Sequence, residues 1–267
     1  MKSSLRFVLV VFVLTGSWVS CAWAQNNPEV VIETNFGDIT VELFPDQAPI
    51  TVDNFLSYVN SGFYDGLLFH RIIYDFMIQG GGFYLEEGPD TMYIMYADPC
   101  EPIVNESYNG LSNLRGTIAM ARSGDPNSAS SQFFINHRDN LFLDRQNAED
   151  GFGYCVFGQV VVGMDVVDAI AETQTYYVNA SLANFPYNPS VDIYRAYVLP
   201  CREPQCSDIV EDGQVDREDL AAMAADWLGE DCSSDNAFCG GRDLDYDGRV
   251  DFKDFALLCE NWGKSLE

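Results

Sequence analysis

The sequence F-H-R-I-I-Y-D-F-M-I-Q-G-G-G at residues 69–82 decides the fold. Its apolar and polar residues alternate in two short runs, which is typical of two half-buried strands joined by a turn. A period of two places Phe69 and Arg71 on one face of the first strand, and Met77 and Gln79 on one face of the second. A guanidinium among apolar and amide side chains can line a groove and hydrogen-bond a neutral peptide. On this stretch alone, the alternative of an exposed Arg71 and His70 at a strand end is favoured.

A second stretch, G-T-I-A-M-A-R-S-G-D-P-N-S-A-S-S-Q-F-F-I at residues 116–135, indicates two apolar strands around a loop of small residues. Together the two stretches resemble the cyclophilin family of peptidyl-prolyl cis-trans isomerases, in particular its bacterial periplasmic members. The resemblance covers residues 28–200. It implies a mainly β fold, a closed eight-stranded antiparallel barrel capped by two helices.

The periodicity of the remaining sequence favours the same architecture. Pro49 opens a helix whose apolar residues recur at i, i+3, i+4 and i+7, and Gly62 follows its end. A second helix is predicted over residues 164–171. Predicted strands cover 30–34, 38–43, 68–73, 76–79, 117–120, 132–135, 155–160 and 191–198. Many short strands with one early and one late helix indicate a closed barrel capped by helices.

The resemblance also implies which residues act. Arg71 would be the catalytic cation, and His70 would line the groove beside it. Gln79 and Gln132 would supply amides that orient the substrate. The residues that would contact the substrate are Phe76, Met77, Phe134 and Leu143 around the proline ring, the backbone of Ala121 and Arg122, and Phe142 and Tyr154.

Two of these positions depart from the eukaryotic pattern of the family. Phe142 stands where a tryptophan is usual, and Tyr154 stands where a histidine is usual. Bacterial members share such changes, so they leave the implied activity intact. They predict weak binding of the inhibitor ciclosporin, because phenylalanine lacks the N–H donor of tryptophan.

The implied chemistry needs no nucleophile, metal or cofactor, since rotation about an X-Pro bond makes and breaks no covalent bond. The barrier of about 20 kcal/mol comes from amide resonance. A donor aimed at the prolyl nitrogen binds the twisted transition state more tightly than the ground state. An alternative from another class is a proline-peptide binding module without turnover, which an isomerase assay would distinguish.

The charge of the chain is strongly acidic, with a formal net charge of −27 over 267 residues. This charge argues against nucleic acids and anionic membrane surfaces as partners. Residues 203–267 contain 18 of the 41 acidic residues and only 5 basic ones. A shift of this size predicts a second domain after residue 200.

The second domain contains a duplicated acidic loop followed by an apolar helical stripe. The loop at residues 243–254 fits the calcium pattern, with ligands at positions 1, 3, 5, 7, 9 and 12 and glycine at position 6. The predicted ligands are Asp243, Asp245, Asp247, Arg249 through its backbone, Asp251 and Asp254. In the first loop they are Asp208, Asp212, Gln214 through its backbone, Asp216 and Asp219. Val210 occupies position 3 of that loop, so we expect its site to be weaker.

This duplicated loop and helix resembles a type I dockerin, a small α-helical domain of the EF-hand kind. The resemblance implies bound Ca²⁺ and a cohesin-like scaffold protein as partner. The alternative is a calcium-stabilised appendage with a purely structural role.

Residues 1–24 indicate a secretory signal peptide. Lys2 and Arg6 precede a short apolar run, and A-W-A at residues 22–24 is a cleavage pattern. A lipoprotein attached through Cys21 is the rival interpretation, although the residues before it form a poor lipobox. The sequence therefore predicts an exported protein, periplasmic or extracellular.

Seven cysteines remain after residue 24. Cys155 lies in an apolar run and is predicted to be a buried free thiol. The other six, Cys100, Cys201, Cys206, Cys232, Cys239 and Cys259, allow up to three disulfides in fifteen connectivities. A zinc site is the alternative, but it would lack a C-x-x-C pair and a nearby histidine.

Overall fold

The computed structural model describes residues 27–89, 91–179, 182–186, 189–200, 207–210, 212–230, 232–233 and 237–265. The predicted signal peptide, with Cys201 and Cys206, lies outside these residues. No helix in the described part of the chain is long and apolar enough to cross a membrane.

The core of the fold is one antiparallel sheet in the order β11-β1-β2-β8-β6-β7-β4-β3, with β5 added to β4. Its strands are β1 Glu29–Thr34, β2 Gly37–Leu43, β3 Leu67–Ile73, β4 Met77–Glu87, β5 Met92–Tyr96, β6 Thr117–Met120, β7 Phe133–Asn136, β8 Val156–Val162 and β11 Ile193–Leu199. The short strands β9 Thr175–Tyr176 and β10 Phe185–Pro186 pair separately.

The eight-stranded path curls so that its two ends, β11 and β3, come together. The N–H of Gly66 donates to the carbonyl of Ile193 at 2.8 Å, and that of Phe69 to Val191 at 2.9 Å. A closed barrel would have a continuous ladder of hydrogen bonds between β11 and β3. At this place the structure has these two bonds and an isolated bridge between Leu68 and Asp192. The mainly β curled sheet is therefore confirmed, and complete closure by a ladder is not.

Helices α1 Pro49–Asn60 and α2 Met164–Ala171 pack on the curled sheet, as predicted. Phe55 of α1 is fully buried, and its ring lies 5.5 Å from Phe133 and 5.2 Å from Phe157. The apolar stripe of α1 thus supplies one side of the main core.

The prediction that Phe69 and Arg71 share a face is wrong. The register of β3 against β4 shifts between these two residues, which is the mark of a β-bulge. Phe69 is fully buried in the main core, whereas Arg71 is only partly buried on the other side. The bulge breaks the period of two and turns Arg71 away from the core.

Residues 84–102, which are longer than the family resemblance leads one to expect, form part of a hairpin. β4 runs on to Glu87, and β5 pairs with it from Met92 to Tyr96. Tyr93 and Tyr96 are each about half exposed. Strand β5 therefore extends the sheet beyond β4.

The C-terminal segment has its own apolar cluster, built on helices α3 Arg217–Ala225 and α4 Phe252–Asn261. Residues 237–241 form a left-handed turn, with φ of 52° at Phe238 and 56° at Cys239. The apolar spacing predicts that α4 buries Phe255, Leu258, Cys259 and Trp262. This prediction is partly wrong, because Leu257 and Leu258 are buried while Cys259 and Trp262 are exposed.

The cysteines confirm part of the prediction. Cys232 and Cys239 form a disulfide, and Cys155 is a buried free thiol. Cys100 and Cys259 are exposed and unbonded.

Candidate active site

Three polar side chains, from β3, from β4 and from the residue before β7, form a hydrogen-bonded row along the sheet surface. Nη1 of Arg71 donates to Oε1 of Gln79 at 3.2 Å, and Nε2 of Gln79 donates to Oε1 of Gln132 at 2.9 Å. Pairing of β3 with β4 sets Arg71 directly opposite Gln79. Each link restricts the next one, so the guanidinium is held in place.

Arg71 is half-buried, and this burial lowers the pKa of its guanidinium from the usual value. Arginine still keeps its proton at neutral pH, because its ordinary pKa is so high. The site therefore offers a fixed positive charge beside apolar surface.

His70 lies behind this row and does not line an open groove as predicted. Its side chain is 1% exposed, and its ring lies 4.6 Å from the ring of Phe83. Burial, with a smaller effect of the neighbouring Arg71 charge, lowers the pKa of His70 to about 4. The imidazole is consequently neutral at physiological pH.

The predicted apolar residues meet in one cluster that is separate from the main core. Its buried members are Met77, Ala119, Phe134, Leu143 and Val156, and its half-buried members are Ile73, Phe76, Leu111, Ala121 and Tyr154. This cluster, which we call the apolar pocket wall, adjoins the polar row, since Met77 Sδ lies 4.0 Å from Arg71 Nη1.

Two aromatic contacts shape the exposed side of the pocket wall. The rings of Phe76 and Phe142 stack at 5.7 Å, and Phe142 is 55% exposed. Tyr154 contacts Phe134 edge-on at 5.7 Å and lies 4.6 Å beneath the guanidinium of Arg122. Both residues at the departing positions therefore stand at the site.

The backbone at Ala121 is only partly available to a ligand. Its N–H donates to the carbonyl of Gln132 at 2.9 Å. The side chain of Arg122 binds Asp150 and the carbonyl of Gly153, which fixes the loop beside Tyr154. A peptide would have to use the Ala121 carbonyl or the Arg122 N–H.

Four residues that no sequence pattern predicted support this site from behind. Asn113, Asn136, Asn140 and Asp144 are buried and hydrogen-bonded to one another. Short polar residues within or beside apolar runs could have indicated them. Such residues are often buried, and a buried amide needs hydrogen-bond partners.

The two acidic loops of the C-terminal segment have matching hydrogen bonds. In the second loop the carboxylate of Asp243 accepts the N–H groups of Asp247 and Gly248 at 3.1 and 3.0 Å. In the first loop Asp208 accepts those of Asp212 and Gly213 at 3.0 and 2.8 Å. The two loops therefore share one pattern of hydrogen bonds between the backbone and the first aspartate.

The carboxylates of the second loop crowd together. One ligand atom from each of Asp243, Asp245 and Asp247 lies within 4.8 Å of the others. Burial, and then the nearby charge of Asp254, raises the pKa of Asp243 to about 8, and burial raises that of Asp245 to about 6. Oδ1 of Asp247 is buried without a hydrogen-bond partner. A divalent cation fits these oxygen ligands.

Comparison with known proteins gives consistent matches over the sheet domain. Residues 29–198 match the profile of the family described as cyclophilin type peptidyl-prolyl cis-trans isomerase/CLD. The chain is 47% identical over 179 residues to a peptidyl-prolyl cis-trans isomerase of Acinetobacter baylyi, which covers 66% of this chain and 90% of that protein. It is 46% identical to isomerase A of Dickeya dadantii, over 71% of this chain and 94% of that protein.

A solved structure agrees with these matches. A cyclophilin type isomerase of Cryptosporidium parvum, crystallised in the presence of the dipeptide Ala-Pro, superposes with a TM-score of 0.51 at 26% identity. The alignment covers 65% of this chain and 99% of that one. The expected cyclophilin-like fold is thereby confirmed. The chain belongs to the cyclophilin family and is a peptidyl-prolyl cis-trans isomerase.

Proposed function

We propose that the polar row and the apolar pocket wall together isomerise X-Pro bonds in proline-containing peptides. The observation that carries this assignment is the held guanidinium of Arg71, 3.2 Å from Gln79, beside an apolar cluster. The presence of Ala-Pro with the Cryptosporidium relative supports the same class of substrate.

In this mechanism the apolar pocket wall holds the proline ring while the preceding carbonyl rotates. As the amide twists, the lone pair of the prolyl nitrogen becomes available, and Arg71 donates to it. This interaction exists only in the transition state, so it increases kcat. Gln79 and Gln132 keep the guanidinium aimed, and the neutral imidazole of His70 supports them from behind.

A proline-isomerisation assay of the wild type beside Arg71→Ala tests this assignment. We expect kcat/KM to fall by roughly two orders of magnitude or more, with little change in melting temperature. Arg138→Ala is the matched control, because Arg138 is an exposed arginine paired with Asp75 outside the row. Wild-type turnover in a folded Arg71→Ala variant would contradict the assignment and favour the non-catalytic binding module.

We further propose that residues 203–267 form a second, dockerin-like domain that binds Ca²⁺, beside an isomerase domain at residues 28–200. The matching loops and the crowded oxygens of Asp243, Asp245 and Asp247 support this proposal. Calcium would replace repulsion between these carboxylates with ion–ligand contacts. Val210, which is 40% exposed, offers no ligand at position 3 of the first loop, so the second loop fills first.

A cohesin-like protein is the proposed partner of this domain. An exposed apolar patch on the C-terminal domain supports a protein contact: Leu228 is 68% exposed and Phe252 74%, with Trp227 5.0 Å from Phe252. Pull-down with a purified cohesin, with calcium and with chelator, tests the partner. Calcium-dependent folding without any cohesin binding would favour the purely structural appendage.

Calcium titration of the full chain tests the metal. We expect a higher melting temperature and changed tryptophan fluorescence, because binding stabilises only the folded loop. Asp243→Ala should remove most of this response, and the matched Asp208→Ala much less. A larger loss from Asp208→Ala would contradict the proposed order of the two loops.

Export remains a proposal that rests on residues 1–24. Determination of the N-terminus of the mature protein tests it directly. A new terminus at residue 25 supports a signal peptide cleaved after Ala24. A lipid-modified N-terminus at Cys21 would instead identify a lipoprotein.

A further inference from the structure

Four buried polar side chains lie directly behind the apolar pocket wall. They are Asn113, Asn136 and Asn140, each fully buried, and Asp144, which is 2% exposed. We call them the asparagine cluster. They come from the segment before β6, the end of β7 and the turn that carries Phe142, so they join that turn to the paired strands β6 and β7.

The cluster is continuously hydrogen-bonded. The N–H and the Nδ2 of Asn113 donate to Oδ1 of Asp144 at 2.7 and 3.0 Å. Nδ2 of Asn136 donates to Oδ1 of Asn113 at 3.3 Å, and Nδ2 of Asn140 donates to Oδ1 of Asn136 at 2.8 Å. Loss of one member leaves a buried group of another unpaired, so the four side chains act as a unit.

The same side chains hold the backbone of the pocket wall. Nδ2 of Asn140 donates to the carbonyl of Phe76 at 2.8 Å, and Asp144, which Nδ2 of Asn113 binds at 3.0 Å, directly follows Leu143. Nδ2 of Asn113 reaches the carbonyl of Tyr154 at 3.4 Å. The asparagine cluster therefore holds the backbone at or next to three residues of the apolar pocket wall, Phe76, Leu143 and Tyr154.

These three residues lie in turns and irregular segments outside the strands. Phe76 lies in the turn before β4, Leu143 in the 3₁₀ turn Leu141–Leu143, and Tyr154 in the segment before β8. Such segments are mobile unless something fixes them. The asparagine cluster supplies the fixation that a ladder gives to Phe134.

We propose that Asn140 and Asn113 are positioning residues for the isomerase reaction, setting the separation of Phe76, Leu143 and Tyr154 to that of a proline ring. This inference rests on the proposed function of the groove. The ring occupies the pocket in the ground state and in the transition state alike. A wider pocket therefore weakens the binding of both states by similar amounts. This raises KM and leaves kcat nearly unchanged.

The test compares steady-state kinetics of Asn140→Ala with those of the wild type on an X-Pro peptide. We expect KM to rise roughly fivefold or more, with kcat within about twofold. Asn147→Ala is the matched control, since Asn147 is an exposed asparagine of the same loop whose Nδ2 bonds to the Leu141 carbonyl outside the cluster. It should leave both constants unchanged.

A methyl NMR spectrum supplies a second readout that a general loss of stability would not move. Met77 is 2% exposed within the pocket wall. Its ¹³C-methyl signal should shift or broaden in Asn140→Ala, far below the melting temperature, and stay in place in Asn147→Ala. If Asn140→Ala does not fold, Asn113→Ser is measured in its place under the same criteria.

The outcomes separate this inference from the assignment of the groove. Suppose that Arg71→Ala is inactive, as expected. An unchanged KM of Asn140→Ala with an unchanged Met77 signal, or a fall in its kcat alone, would then overturn the positioning role. Wild-type turnover in Arg71→Ala overturns the groove assignment, and the inference falls with it.

Discussion

Arg71 and His70 are adjacent residues of β3 with opposite surroundings. The bulge turns Arg71 toward the groove, where it keeps its charge, while burial keeps His70 neutral. Phe69 and Ile72, which flank the two residues, both belong to the main core, so neither His70 nor Arg71 faces that core. Alternation alone would put Arg71 on the face of Phe69, and the pattern of apolar residues does not reveal the bulge that moves it.

The buried His70 predicts a loss of stability in acid. Its folded pKa of about 4 lies below the unfolded value of about 6.5, so the unfolded chain takes up the proton first. The stability that the neutral His70 side chain provides is complete above pH 6.5 and is lost as the pH falls toward 4. We expect it to amount to about 3 kcal/mol over that window.

Urea unfolding of the wild type and of His70→Gln, at several values between pH 4 and pH 7, measures this effect. The carboxylates titrate in both proteins, so the difference between the two slopes belongs to the histidine. Parallel pH profiles would contradict a pKa near 4.

Phe142 predicts resistance to ciclosporin. Its ring is 55% exposed and stacks on Phe76, but it carries no N–H donor for the inhibitor. Phe142→Trp should tighten binding by roughly tenfold, the gain from one good hydrogen bond at a desolvated surface. Phe142→Leu is the control without a donor. If calorimetry shows that the wild type already binds ciclosporin stoichiometrically, the role assigned to Phe142 is wrong.

At the scale of elements, helix α1 obtains its N-terminal cap from a distant residue. Ala48 provides no side-chain cap. Instead Oε2 of Glu106 accepts the N–H of Thr51 at 2.8 Å and its hydroxyl at 2.7 Å, and Oε1 accepts the N–H of Ile50 at 3.3 Å. Glu106 is 2% exposed, so its charge lies at the positive end of the helix with little screening.

Glu106→Ala should therefore lower the free energy of unfolding by about 1–3 kcal/mol, because it removes the acceptor of two backbone N–H groups and of the buried Thr51 hydroxyl. Chemical denaturation followed by circular dichroism measures the change. Glu101→Ala, an exposed glutamate in the same segment, is the control. Equal stability of the two variants would show that the cap contributes nothing.

Sequence patterns predicted elements better than the contacts between them. Pro49, the apolar stripe and Gly62 marked α1 nearly to its ends, and residues 164–171 match α2. Glu106 could not be assigned to α1, because a cap separated by 55 residues leaves no local periodicity. The asparagine cluster escaped for the same reason. For the tail, the loop spacing predicted the acidic cluster, but it did not predict that Trp262 would be exposed.

At the scale of the whole molecule, the second acidic loop touches the isomerase domain. Nδ2 of Asn60 in α1 donates to the carbonyl of Tyr246 at 2.8 Å, and the ring of Tyr246 lies 4.8 Å from Phe238. Phe238 is 5% exposed and belongs to the main core cluster. Tyr246 stands between the proposed ligands Asp245 and Asp247, so the second acidic loop also contacts helix α1.

This contact predicts that calcium stabilises the isomerase domain as well as the tail. A ligand that favours one conformation of the loop also favours whatever that conformation binds. Calorimetry of the full chain should show the isomerase transition at a higher temperature with calcium than with chelator, and Tyr246→Ala should abolish the difference. Phe252→Ala, at a residue 74% exposed in α4, serves as the control. An isomerase transition insensitive to calcium in the wild type would contradict the coupling.

The pairing of β1 with β11 has a consequence for a chain that grows from its N-terminus. The edge of Glu29–Thr34 is covered only when Ile193–Leu199 has been synthesised. At ordinary rates of translation this takes roughly ten to thirty seconds. Throughout that interval the apolar strand E-V-V-I-E-T presents unpaired backbone groups, a surface on which other chains can add. A chain whose translation stalls before residue 193 therefore keeps an unpaired edge strand to which other chains can bind. The isomerase is prone to aggregation until β11 has been synthesised.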